Sequence, residues 1–555
     1  MANLQKTRTL FAFTSPRTIE KIVPEIKLLT DNFGGKAWNE STQIEFFQDL
    51  FNSAFYDGNK MPANIPLAAR DRITRAPKAL GFVDLKPTIQ LTGAGVKLIG
   101  GKRMYETITR QLLKFQLPSP YHKTTEGFFV KPYLELLRLI KRVGSLSKTE
   151  VALFFTQLIH IEKFEEVAQM IEDFRANAKV FKGSRKTYVD TCFTEQVLKI
   201  YAADIENSDF KTRESSDLSL QKFVRTKKSN LSDYADAFLR YARATQLITF
   251  ESKSFRAVIA PSKADDVDFI LKTVSRNPTI FKAEKIFKSY LFASENIKLL
   301  TDDRNLLIQK LEKLKLSFSK DLDIEGLKDV LELGEEETKQ EKLVETAKSL
   351  KDYKEFDDII EVFRQISKRE VPDPPLYLEW NIWRALVMLN YAKAINGNFS
   401  IDLDGVPLNT ARGNMPDIEV EYEDFRLIVE VTMSTGNKQY EMEGEPVARH
   451  FGDLQLKSDK PVYCLFVASK ISEGSLAHFF NLNKMNTKRY GGKTRIIPIN
   501  QKGFIDFVTV AKDKNFNESK RLKSYFDTLI QQNFEAEDES VWFQNIEQSV
   551  NNWLN

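Results

Sequence analysis

Residues 416–432 read Pro416-Asp417-Ile418-Glu419-Val420-Glu421-Tyr422-Glu423-Asp424-Phe425-Arg426-Leu427-Ile428-Val429-Glu430-Val431-Thr432. Ile418, Val420 and Tyr422 alternate with acidic residues on the way out, and Leu427, Val429 and Val431 alternate on the way back, which is the period of a hairpin with one apolar face. A two-residue turn at Glu423-Asp424 pairs Ile418 with Val429, Val420 with Leu427, and Asp417 with Glu430. Opposed side chains in such a ladder stand about 4.5–5.5 Å apart at Cβ. Two carboxylates so close repel, and one stays protonated unless a cation neutralises both. Mg²⁺ suits the pair because it takes hard oxygen ligands and keeps several waters. A solvated acidic hairpin face is the alternative reading of the same pattern.

The surrounding elements place this hairpin in a sheet. Residues 376–394 carry Leu378, Ile382, Leu386 and Leu389 on one helical stripe, with Glu379 beside it. Beyond the hairpin, Glu441 to Leu456 predicts a helix, and Pro461–Ser469 and Thr494–Asn500 predict buried strands. The expectation is a mixed sheet covered by helices, with the carboxylates at one end. On the helix after the hairpin, Glu443 and His450 are two turns apart on one face with Arg449 adjoining. A histidine there can position or deprotonate a water, and a third carboxylate can reach the cation.

These residues carry a family resemblance. The run GNMPDIEVEYEDFRLIVEVTMSTGNKQYEMEGEPVARHF (Gly413 to Phe451) resembles the catalytic core of the AlwI family of type IIS restriction endonucleases, which has nicking relatives. Ser15-Pro16-Arg17, Ala69-Arg70-Asp71-Arg72, Gly81-Phe82-Val83, Leu91-Thr92, RQLLKFQLPSPYHK (Arg110 to Lys123) and Val462 to Phe466 are similar to that family as well. The resemblance implies a PD-(D/E)XK-like nuclease domain whose site comprises Glu379, Asp417, Glu430, Glu443 and His450. It implies Mg²⁺, with Mn²⁺ able to substitute, held by Asp417, Glu430, the carbonyl of Val431 and Glu443. Products would carry a 5′ phosphate and a 3′ hydroxyl. The wider superfamily ends its signature in lysine, whereas Thr432 stands here, as it does in the AlwI-like pattern. Lys438, Arg449 and His450 are the candidates to replace the lost ammonium.

Charge divides the chain. Its 555 residues carry a net charge of +4, yet residues 1–300 hold 47 Lys and Arg against 33 Asp and Glu, and the remainder 34 against 44. The basic half is the expected DNA-binding half. Two segments in it read as winged helices: Ala69 to Gly101, with Pro87 at the turn of an extended pair, and Leu231 to Ile270, with strands on either side of Ser252–Ser254. The expected DNA contacts are Arg17, Arg70, Arg72, Arg75, Lys78, Lys102, Arg103, Arg225, Lys227 and Lys228, reading bases or clamping phosphates.

Other features are structural or exclude chemistry. Ser147 to Glu150 predicts a capping box, and Ser15-Pro16 predicts a helix start. No nucleotide-binding fingerprint occurs, which argues against ATP use. Cys192 and Cys464 are not spaced as metal ligands and suit a reducing cytoplasm, which the resemblance implies is prokaryotic; no stretch reads as a membrane span. Residues 301–370 are charged and leucine-punctuated at helical spacing, up to the stiff Val371-Pro372-Asp373-Pro374-Pro375.

The expected architecture is therefore multidomain α+β. DNA-recognition subdomains occupy 1–145 and 146–300, a helical linker 301–370, and a metal-dependent nuclease domain 371–555. The expected partners are double-stranded DNA, a cognate DNA methyltransferase, and a transient homodimer or second nuclease subunit for double-strand cleavage. The rival from another class is a sequence-specific DNA-binding protein with an inactive nuclease-like domain, which Thr432 favours and the intact carboxylates oppose.

Overall fold

The computed structural model describes residues 7–554 apart from 17–18, 54, 57, 59, 123–126, 213, 390, 412–413 and 517. The chain forms two compact units, Met1–Glu336 and Glu337–Asn555, both mixing helices and strands.

In the first unit, the helix Ile65–Ile73 leads to the antiparallel pair β1 (Val83–Asp84) and β2 (Gln90–Leu91), then to the helix Gly93–Ile99. Thr92 caps that helix, its hydroxyl accepting Gly95 N–H at 3.0 Å and donating to Gly81 O at 2.6 Å. Gly95 is required by close approach, since a Cβ there would sit 2.1 Å from Phe82 O. The second segment repeats the order: helix Leu220–Arg243, antiparallel β3 (Ile248–Phe250) and β4 (Ala257–Ile259), helix Ala264–Thr273. The capping box at Ser147 and Glu150 is present.

Two expectations change here. The two subdomains interlock instead of dividing at residue 145. Gln111 Nε2 donates to both Leu80 O and Leu291 O, and Arg276 pairs with the buried Glu135 at 2.7 Å. Pro16 stands outside any helix, the first helix being described from Ile19, and its carbonyl accepts a hydrogen bond from Tyr241 OH.

The division between units falls inside the long helix Ile324–Leu350 and not at residue 371. The second half of the charged segment belongs to the second unit because the helix Phe356–Ser367 packs on Pro374–Met388. Asn381 Nδ2 donates to Ile359 O at 2.9 Å, and Arg384 pairs with Asp358 at 2.6 Å. Pro374 and Pro375 occupy the first turn of the second of these helices, where an N–H has no helical partner to lose.

The second unit is built on a mixed sheet. Its strands are β5 (Ala394–Gly397), β8 (Ile418–Glu421), β9 (Arg426–Thr432), β10 (Val462–Ala468) and β11 (Ile496–Asn500), in the order β11-β10-β9-β8-β5; β6 (Ser400–Ile401) and β7 (Pro407–Asn409) pair separately. β10 runs parallel to both neighbours, and all seven of its residues are buried, as a central strand covered on both faces demands. Pro498 is tolerated because β11 is an edge. The β8–β9 hairpin has the register read from the sequence, Ile418 opposite Val429 and Val420 opposite Leu427. Tyr422 N–H donates to Phe425 O at 3.0 Å across the Glu423-Asp424 turn, and the two rings stack at 4.5 Å. Among the described residues no helix is long and apolar enough to cross a membrane.

Candidate active site

The hairpin delivers Asp417 at the start of β8 and Glu430 near the end of β9. Asp417 Oδ2 accepts the Val431 N–H at 2.7 Å, which ties the carboxylate to the strand opposite. Asn398 fixes the approach, its N–H donating to Asp417 O at 2.9 Å and its side chain to Pro416 O at 2.6 Å. Glu430 is buried, and its Oε1 lies 2.8 Å from His450 Nδ1. His450 comes from the helix Asn437–Gln455, which also carries Glu443 and has Pro446 between the two. Glu379, buried on the helix Pro374–Met388, accepts the Ala411 N–H at 3.0 Å.

Electrostatics join these residues into one cluster. Burial and the neighbouring Asp417 charge hold Glu379 well above the usual carboxylate range. Burial, then Glu430 and Glu443, do the same to Asp417 against the opposing Val431 N–H. Glu430 is raised by burial, Glu443 and Glu379, with Arg449 pulling the other way. Burial also raises Glu443, partly offset by the Thr432 hydroxyl. Burial lowers His450, with Arg449 adding to the shift. Both shifts favour the uncharged forms of Glu430 and His450, and His450 Nε2 is buried with no hydrogen-bond partner. All five residues expected from the sequence meet in this cluster.

Among the described residues no group of three His, Cys, Asp or Glu side chains is gathered closely enough to hold a metal ion by itself. The hydrogen bonds account for this: Asp417 is turned to Val431 N–H and Glu430 to His450.

Gln439, which the sequence reading passed over, supports the site. Fully buried, its Nε2 donates to Ser434 O and Lys470 O, both at 2.8 Å, and its Oε1 accepts Ser472 N–H at 2.7 Å. It clamps the loop leaving β9 to the loop leaving β10. A glutamine in the first turn of a polar helix gives no sign of this, because both partners are backbone.

The profile of the AlwI restriction endonuclease family matches residues 78–507, which takes in every residue of this cluster, the whole of the second basic segment and the first from Lys78 onward. The chain belongs to the AlwI restriction endonuclease family. No curated protein matches it. Among solved structures, the chain is similar to the small subunit R.BspD6I2 of the heterodimeric restriction endonuclease R.BspD6I, with 28% identity over 35% of this chain and 98% of that one and a TM-score of 0.30. It is also similar to the BpuJ1 endonuclease binding domain solved with pyrene- and phenanthrene-modified DNA, with 16% identity over 52% and 95% and a TM-score of 0.32.

For this AlwI-family nuclease the expected DNA-contacting cations have separate fates. Arg70 and Arg225 are exposed, and Lys102 is largely exposed while pairing with Asp329 at 2.7 Å. Arg75 pairs with Asp71 at 2.9 Å, and Lys228 with Asp190 at 2.8 Å. Lys78 lies over the Tyr121 ring at 4.5 Å and Lys227 over Tyr201 at 4.5 Å, and burial lowers the pKa of both. Arg72 is bound to the buried Glu25. Arg103 is itself buried and held by Glu325 and Asp329. Arg72 and Arg103 are therefore already engaged by acids of the first unit. Arg17 lies outside the described residues.

Proposed function

We propose that this chain is a type IIS restriction endonuclease: the first unit reads a short asymmetric duplex site through its two winged-helix-like segments, and a PD-(D/E)XK-like site in the second hydrolyses the backbone a few base pairs away. The observation that carries the reading is the hairpin register, which brings Asp417 and Glu430 into one buried cluster with Glu379 and Glu443, each carboxyl raised in pKa by burial and most also by its neighbours.

Such a cluster fits Mg²⁺ or Mn²⁺. Mg²⁺ needs only one or two protein carboxylates, the rest of its octahedron being water and substrate phosphate. Asp417, Glu430, the Val431 carbonyl and Glu443 would hold it, with Glu379 supporting from the helix behind. The ion would neutralise the carboxylates and polarise the scissile phosphate. The chain's residues do the rest. With Glu430 ionised, His450 Nδ1 donates to Oε1, fixing the tautomer and leaving Nε2 as proton acceptor. Water attacks phosphorus and its proton passes to that base. The bond to the 3′ oxygen breaks with its electron pair, which is then protonated, leaving a 5′ phosphate and a 3′ hydroxyl.

One nuclease unit offers one site, so double-strand cleavage needs a transient dimer, a second subunit or two sequential events, and strand-specific nicking is the variant with none of these. An unprotected host genome would be cut too, so a DNA methyltransferase acting on the same sequence is the expected functional partner. The test is to incubate plasmid DNA with the full-length protein and Mg²⁺ and sequence the ends. Cuts at one fixed offset from one asymmetric motif support the proposal. Tight duplex binding with no cut in Mg²⁺ or Mn²⁺ supports the rival, a DNA-binding protein with an inactive nuclease-like domain.

A further inference from the structure

A cavity of about 460 Å³ lies within the first unit, in the size range of small-ligand sites. Its wall comes from the helices Gly93–Ile99 and Met104–Lys114, from residues 294–302, and from the start of the helix Ile324–Leu350. Six cations line it against four acids. Most are matched: Glu295 holds Lys97, Glu325 and Asp329 hold Arg103, and Asp302 holds Lys328 at 2.6 Å.

Three groups keep unused donors. Lys298 is exposed and, among the described residues, makes no ion pair. Arg110 is buried, and its side-chain hydrogen bonds, to Glu106 at 3.3 Å and to both oxygens of Asp302 at 2.9 Å, all leave from Nη2. Its Nε is buried without a partner, as is the hydroxyl of Ser294, a residue only 1% exposed. A buried donor left without an acceptor is costly, and an anion seated against it removes that cost. Phosphate oxygens accept from guanidinium, ammonium and hydroxyl alike, and these are the side chains that hold DNA backbones.

We infer that this cavity takes a backbone phosphate of the bound duplex, held by Lys298, Arg110 and Ser294. Lys97, which lies in the first basic segment, and Lys102 just after it stand exposed on the same wall, each paired with an exposed acid, and add attraction for the strand. Such a contact sets the register of the protein on the duplex and carries no sequence information.

The inference rests on the DNA-binding reading of the first unit, and its test separates the two. Duplex binding is measured without Mg²⁺, across a salt series, for the full-length protein, Lys298→Gln, Ser294→Ala and the double variant. Both single variants should melt with the unaltered protein, because Lys298 is exposed and the Ser294 hydroxyl has no partner within the chain. Lys298→Gln should bind roughly tenfold more weakly, the scale of a charged hydrogen bond, and lower the log–log salt slope by about one. Ser294→Ala should bind roughly threefold more weakly at an unchanged slope. The double variant should lose less than the product of the two, as groups sharing one phosphate do. Inorganic phosphate at constant ionic strength should compete with the duplex for the unaltered protein and less for the double variant. Duplex affinity and slope unchanged in every variant overturn the inference alone. Inorganic phosphate that still binds the unaltered protein and not the double variant would then make free phosphate the ligand. Losses that simply multiply overturn the shared phosphate. An unaltered protein that binds no duplex overturns the DNA-binding reading and this inference with it.

Discussion

His450 Nδ1 stands 2.8 Å from Glu430 Oε1, and the other ring nitrogen is buried without a partner. The pair couples a candidate base to a candidate ligand across a single hydrogen bond. Substituting His450 by Gln should slow single-turnover cleavage by roughly 100-fold or more, the usual worth of a general base, while leaving duplex binding intact. Unchanged cleavage would remove His450 from the chemistry and leave it a support for the helix.

The raised carboxyls make stability depend on pH in a definite direction. Glu379, Asp417, Glu430 and Glu443 all have folded pKa values above their unfolded ones. The folded state therefore binds more protons over that window. The contribution of these four carboxyls to the metal-free second unit is fully present below the ordinary carboxylate range and is lost as pH rises through the folded values. Mg²⁺ should raise the melting temperature more at pH 8 than at pH 5. Asp417→Asn should raise it in EDTA at pH 8 by a few degrees, each kcal/mol being worth about 2–4 °C at this size. Calorimetry in EDTA that finds the same pH dependence of stability for Asp417→Asn and the unaltered chain contradicts the cluster.

The cations of the first unit should fall into two groups. Arg70 and Arg225 are exposed. Replacing either by Ala should leave melting unchanged and, where the residue meets a phosphate, reduce the log–log salt slope of DNA binding by about one. Arg72→Ala should instead cost roughly 3–5 kcal/mol by stranding the buried Glu25. Salt titration and denaturant melts on the three variants check this. An Arg72→Ala protein of full stability but weakened DNA binding would reverse the assignment.

Much of this was legible in the sequence because it is local. Alternation fixed the β8–β9 register, and the two-residue turn put Tyr422 opposite Phe425. Helical spacing put Glu443 and His450 on one face. What was not legible depends on partners remote in the chain. Arg72 and Arg103 look like DNA contacts in a basic stretch, but their acids come from residue 25 and from residues 325 and 329. The segment 337–370 reads as linker because it is charged, although one face of Phe356–Ser367 is apolar enough to join the nuclease core. Gln439 was invisible because it holds only backbone.

Gln439 yields its own expectation. Gln439→Leu keeps the volume but strands Ser472 N–H and the two loop carbonyls, at about 1–3 kcal/mol for a buried group left unsatisfied. Hydrogen exchange should then speed up in the loops leaving β9 and β10 while the β10 core stays protected. Equal protection in variant and parent would show that the clamp is dispensable.

The most direct measurement of the central claim is plasmid cleavage in Mg²⁺ by the unaltered chain beside Asp417→Ala and Glu430→Ala, with all three shown to be folded and to bind duplex DNA equally. The account predicts cleavage by the unaltered chain and none by either variant. Equal cleavage by all three would contradict it.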